Sequence, residues 1–481
     1  MRRASVPCVS AALPRSTPSE QGVDPAGVAA FLDALEDRPG IEAHSVIVIR
    51  HRHVVAAGAW WPYRLDRPGL LYSLSKSFTS SALGIAVGDG LVDLDAPVLD
   101  YFPEVPLADV PERVRVRTVR HVASMRTGHR HETWDSALAS DPADPVGAFL
   151  RMSVEDDPGT VFTYNQPPVM TIAALVRRVT GATVSDLLRT RVFDPLGAGP
   201  FGWLQYPAGD DLAFSGMFAT PDTVARLGLL YLDNGRWADR QLLPRGWAAV
   251  AGSAHSDTSG EPFPDWQQGY GLGFWRGRHG FRGDGAWGQF CLVLPERDAV
   301  VVITSAVVHM QEVLDAVWAH LLPAMGTDPA PPTGADDTLA ERLATLALEP
   351  ERGTTWEPDT SAWDDLDFVP LGGSCPALAR LTSVGVRAGG RIILADDTGD
   401  IVEMLVGDGS APVVVAAGWA DAETLLLDAV FADTPHRLSL VCDTRSMTFT
   451  AHWRTTPLHA TRLRDLRMPG NEPVVLDIGP G

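Results

Sequence analysis

The strand-forming segments of this chain lie far apart, with helical sequence between them. Residues 45–50 (SVIVIR) and 53–58 (HVVAAG) are apolar runs around the polar turn Arg50-His51-Arg52, the pattern of two paired strands. Strand-like runs return only between about residues 269 and 305, while 115–250 reads as mostly helical, as at 171–180 and 220–232. Strands so distant in sequence share one sheet only if both ends of the region meet around a helical middle. That is an α+β arrangement, not regular βαβ alternation. Further helices are predicted over 24–35, over 75–87 with a stop at Gly88-Asp89-Gly90, and over 310–322.

The pattern changes after residue 325. Residues 326–338 (GTDPAPPTGADDT) have the composition of a linker, and a short helix is expected near 339–348. Beyond it, 391–394 and 401–406 flank a DDTGD turn, Leu438, Leu440 and Cys442 alternate with other residues, and Met447, Phe449, Ala451 and Trp453 do the same. The domains expected are a flexible Pro/Ser-rich arm at 1–20, a main unit at 21–325, a linker at 326–338 and a small antiparallel β domain at 339–481.

Composition narrows the class. With 60 acidic against 39 basic side chains among 481 residues, the net charge of −21 argues against a basic face for nucleic acid. No apolar run approaches the roughly 18 residues that a membrane span needs. Residues 1–8 have two arginines but no apolar core behind them, so a secretory signal is not expected and a cytoplasmic location is. The four cysteines (Cys8, Cys291, Cys375, Cys442) form no C-x-x-C pair, consistent with a reducing compartment and no structural zinc.

One lysine, Lys76, stands among the 39 basic residues; the other 38 are arginine. Guanidinium stays protonated in proteins, whereas a desolvated ammonium can lose its proton, so a lone lysine suits a task that arginine cannot perform. It lies in Leu71-Tyr72-Ser73-Leu74-Ser75-Lys76-Ser77-Phe78-Thr79. Ser73 and Lys76, three apart at a helix start, share one face, and a neutral amine there can take the serine proton. The bland alternative is a capping serine and a solvated lysine.

The run YSLSKSFTS, followed by GDGLVDLDAPV, resembles the Ser-x-x-Lys signature of the serine β-lactamase-like family, which includes class C β-lactamases, penicillin-binding proteins and related esterases, amidases and D-amino-acid peptidases. TVRHVASMRTGH (118–129), PGTVFTYN (158–165), RVFDPLG (191–197) and GMFAT (216–220) resemble later landmarks of the class C-related pattern, so the likeness covers roughly residues 20–325. It implies an antiparallel sheet built from both ends of that region, flanked by helices, with a helical subdomain. It also implies that Tyr164 assists proton transfer and that Asn165 or Gln166 holds a substrate amide. The third motif of the family, Lys-Thr-Gly or His-x-Gly, has its counterpart near Gly283-Asp284-Gly285, which places Gly283 in the cationic slot with an acid beside it. Small residues there would let the strand approach the substrate, and the backbone N–H near Ala286 would join that of Ser73 in an oxyanion hole.

Together these readings describe a serine hydrolase acting on a small-molecule ester or amide through a Ser73 acyl-enzyme, with Lys76 and Tyr164 in proton transfer and no metal or cofactor implied. The alternatives are a β-lactamase or D-amino-acid peptidase, which the expected lack of a secretory signal disfavours and, for carboxylate-bearing β-lactams, the missing cation in the third motif also disfavours, and a non-catalytic binding protein on the same scaffold. Oligomeric state is left open. His129 and His131, and Trp134, Trp203, Trp275 and Trp287, are candidates for the cleft or for ordinary packing.

Overall fold

The computed structural model describes residues 12–361, 363–459, 462–470 and 472–477. Helix α1 (Pro25–Glu36) starts at Asp24, whose side chain accepts the Ala26 N–H. Strands β1 (Ile41–Arg50) and β2 (His53–Ala59) follow, and β3 (Phe281–Gly285), β4 (Gln289–Leu294) and β5 (Ala299–Val307) close the same sheet in the order β2-β1-β5-β4-β3, with Trp275–Arg276 as a short edge strand beside β3. The two ends of the region therefore meet at β1 and β5, antiparallel, with Val46 opposite Ile303 and Val48 opposite Val301. Val46, Val48 and Ile303 pack on one face with α1, and Ile47, Ile49 and Val302 pack on the other with the helical middle. Burial on both faces is why SVIVI is continuously apolar instead of alternating.

Helix α2 (Ser75–Gly88) runs through the centre and is buried from Ser75 to Ala86. Most of its small polar residues find a partner across the interface: Ser75 Oγ accepts the Met217 N–H (3.1 Å), Thr79 Oγ1 donates to Ala213 O (2.9 Å), and Ser81 shares a bond with Tyr231 OH (2.9 Å), while the buried Ser80 Oγ has no partner among the described residues. Helices α3 (Pro167–Thr180) and α4 (Pro221–Leu232) pack around α2 and the sheet.

Two segments differ from expectation. The arm was expected to be flexible through residue 20; residues 1–11 lie outside the described residues, but from Pro14 onward the chain is tied down. Pro14 O accepts the Val54 N–H (2.8 Å), Ser16 N donates to Val54 O (3.2 Å), and Ser19 bonds Asp336 through its N–H (3.0 Å) and hydroxyl (2.8 Å). An edge strand with free backbone groups supplies the reason. The expected linker contains the start of helix α5 (Gly334–Ala344), set by a Thr333/Asp336 capping box, and Arg342 binds Asp33 and Glu36 of α1 at 2.7 Å each. Helix α5 thus docks on the first unit, and strand structure resumes at Leu366.

The C-terminal domain comprises β6 (Leu366–Pro370), β7 (Leu381–Arg387), β8 (Arg391–Asp396), β9 (Ile401–Leu405), β10 (Val413–Trp419), β11 (Thr424–Phe431), β12 (His436–Asp443) and β13 (Thr448–Trp453), in the order β9-β8-β7-β6-β13-β12-β11-β10. All neighbours are antiparallel except β6 and β13, which pair in parallel with Val369 opposite Thr448. A bridge between Val406 and Val415 brings the two edges together, giving a barrel-like form filled by residues such as Phe368, Val384, Leu427 and Leu440. The domain is antiparallel as expected, apart from that pair and the closing Val406–Val415 bridge, which is also parallel. The barrel is locked to the first domain by Arg437 of β12, which is buried between Glu42 of β1 (2.8 Å) and Asp428 of β11, with Arg454 also on Glu42 (3.1 Å).

Candidate active site

Ser73 sits in the one-turn segment Tyr72–Leu74 that leads into α2. Its flanks are pinned: Leu70 N donates to Asp433 O and Leu71 N to Met217 O, both at 2.8 Å, and Tyr72 adopts a left-handed backbone with φ +47°. One helical turn on, Lys76 Nζ lies 3.0 Å from Ser73 Oγ and 2.9 Å from Phe214 O. Lys76 is only 2% exposed, and burial pushes its pKa down to about 7, against the pull of Asp284 and Glu132. The bland reading of a solvated lysine is thereby excluded.

Tyr164 stands before α3 with its ring 4.8 Å from Lys76 Nζ, stacked on Trp275 (5.5 Å between centroids, 22°). Burial raises its phenol pKa, and the Ser73 side chain opposes that rise. Asn165 is turned inward: its Oδ1 accepts from Thr133 N and Oγ1 (3.1 Å each), and its Nδ2 donates to Thr133 Oγ1 (3.0 Å). Gln166 has a buried Oε1 without a partner among the described residues, while its N–H donates to Glu132 (3.2 Å).

Strand β3 passes against the segment that carries Ser73. A Cβ on Gly283 would stand 2.2 Å from Leu74 Cδ1, and one on Gly285 would stand 2.1 Å from Leu71 O, so only glycine allows this approach. Gly283 faces α2 and has no room for a long cation. Asp284 is the β3 side chain whose charge reaches Lys76 and Tyr164; burial pushes it up to about 6, and Arg282 holds it at 3.0 Å. The acid, not the glycine before it, is therefore the group whose charge acts on Lys76 and Tyr164. Ala286 follows directly at the end of β3.

The remaining candidates divide. Trp275 joins Tyr164, and Trp134 packs on Phe214 (5.0 Å), whereas Trp203 is a core residue bonded to Leu212 O (3.0 Å). Trp287 is half-buried with φ +66°. His129 is buried on Thr127 (3.0 Å) and held near pKa 4 by burial and Arg117, and His131 is exposed. Sequence reasoning missed Phe214, which anchors Lys76, as well as Glu132 and the C-terminal His459, whose Nε2 is 3.1 Å from Ser215 Oγ. None of these lies in a motif with Ser73; a backbone carbonyl leaves no side-chain signal, and His459 is remote in sequence.

Residues 28–325 match the Beta-lactamase family model, and the chain belongs to that family. It is 27% identical over 312 residues to the 6-aminohexanoate-dimer hydrolase of Paenarthrobacter ureafaciens, covering 59% of this chain and 79% of that one. It is 28% identical over 165 residues to the lovastatin esterase of Penicillium rubens, covering 29% of this chain and 41% of that one. Among solved structures, SurE is similar over 89% of this chain and 98% of its own, with 16% identity and a TM-score of 0.50, a likeness of fold across both domains. The fold and relatives define a β-lactamase-related serine hydrolase of the esterase/amidase kind. No helix among the described residues is long and apolar enough to cross a membrane.

Proposed function

We propose that the protein hydrolyses a small ester or amide through an acyl-enzyme on Ser73. The observation that carries this reading is Lys76: buried, 3.0 Å from Ser73 Oγ, and with a pKa near 7. Phe214 O takes one Nζ–H, which leaves the lone pair of the neutral amine for the serine proton. Ser73 Oγ attacks the carbonyl carbon as its proton passes to Nζ. The backbone N–H groups of Ser73 and Ala286 hold the oxyanion. Tyr164 relays the proton to the leaving oxygen or nitrogen as that bond breaks. Water then attacks the acyl carbon and gives a proton to the Lys76–Tyr164 pair; the bond from that carbon to Ser73 Oγ breaks, Oγ takes the proton from the pair, and the acid is released.

Gln166 is the residue assigned to a substrate amide, because both ends of the Asn165 amide are used on Thr133. Gly283 and Gly285 serve by their size, allowing the strand to approach. With Asp284 where a cation would receive a substrate carboxylate, carboxylate-bearing β-lactams are poor candidates. The test is hydrolysis of a chromogenic ester and anilide series: Ser73→Ala and Lys76→Met are expected to lose at least about 10³-fold in kcat. Wild-type rates in either folded variant would remove the proposal.

A further inference from the structure

The residue before the nucleophile is held by the other domain. Tyr72 has a left-handed backbone, uncommon for a bulky side chain and sustained only where surroundings impose it. Its hydroxyl is bonded to Nε2 of His436, at the start of β12. His436 Nδ1 is 2.8 Å from Thr455 O, a group that only accepts, so Nδ1 carries the hydrogen and Nε2 is left to accept the Tyr72 proton. Burial keeps this imidazole neutral, with its pKa down at about 3. The Leu458 N–H reaches the same hydroxyl from the barrel side (3.4 Å). One residue further, His459 bonds Ser215 (3.1 Å) and packs on Phe214 (5.7 Å), the residue whose carbonyl anchors Lys76. Both ends of the Ser73–Lys76 pair are thus braced by barrel residues.

We infer that the C-terminal barrel is a working part of the active site, with His436 a positioning residue that fixes Tyr72 and hence the direction of Ser73, and His459 a second brace through Ser215 and Phe214. This rests on the reading of Ser73 as the nucleophile. The experiment measures the second-order rate of Ser73 labelling by a fluorophosphonate, together with kcat, KM and melting temperature, for wild type, Tyr72→Phe, His436→Leu, the double variant, His436→Gln and His459→Ala.

Tyr72→Phe and His436→Leu are each expected to slow labelling about 10- to 100-fold with KM little changed. The double variant should be no slower than the worse single one, because both remove the same bond. His436→Gln, which keeps an acceptor, should recover part of the rate, and His459→Ala should slow labelling less than His436→Leu. Tyr72→Phe keeps the ring and carries the test if His436→Leu does not fold. Wild-type labelling rates in folded Tyr72→Phe, or a lowered melting temperature with an unchanged rate, would overturn the inference while leaving the nucleophile intact. Absence of wild-type labelling would overturn both.

Discussion

Burial gives Lys76 a proton affinity that exposed lysines do not have, and the charges facing it then set the working pH. Asp284 and Glu132 both favour the ammonium form, so they raise a pKa that desolvation lowers to about 7. As the proposed base Lys76 works only when neutral, so kcat/KM for an ester is expected to rise with pH through a midpoint near 7. Removing the charge in Asp284→Asn takes away a group that favours protonation, so the midpoint should move to lower pH; a shift upward, or none, would show that Asp284 does not act on Lys76. Lys76 was legible because one lysine among 39 basic residues begs a reason. Asp284 was legible as an acid near the third motif but not as the residue on the catalytic side, because that depends on which face of β3 meets α2.

Between elements, the site depends on how closely β3 runs past the nucleophile turn. The Cβ of Gly285→Ala would collide with a backbone atom, Leu71 O at 2.1 Å, which cannot move without shifting the Ser73 segment. This variant is expected to lose about tenfold or more in kcat/KM. Gly283→Ala meets a side-chain atom first, Leu74 Cδ1 at 2.2 Å, and should be milder. Equal kinetics for the two would argue against the close approach as the reason for the glycines. The need for small residues in this strand could be read from its sequence. The positive φ of Tyr72 could not, since tyrosine gives no hint of a left-handed backbone that tertiary contacts impose.

For the whole molecule, the interface around Arg437 decides whether the two domains behave as one. Arg437 is 2% exposed and lies between Glu42 and Asp428, so Arg437→Leu leaves the buried Asp428 without its cation and Glu42 with Arg454 alone as a cation among the described residues. A loss of about 3–5 kcal/mol is expected in denaturant unfolding; a change below about 1 kcal/mol, the scale of surface pairs, would mean that the cluster is not a lock. The two-ended sheet was legible because its strands are apolar on both faces and separated by helical sequence. Barrel closure and the parallel pairing of β6 with β13 were not, because pairing between strands so far apart leaves no local periodicity.

The central claim, an activated Ser73, is tested most directly by intact mass after incubation with a fluorophosphonate. A single adduct on wild type, absent in Ser73→Ala and slowed in Lys76→Ala, is the predicted result. No adduct on folded wild type, or an adduct that persists in Ser73→Ala, would contradict it.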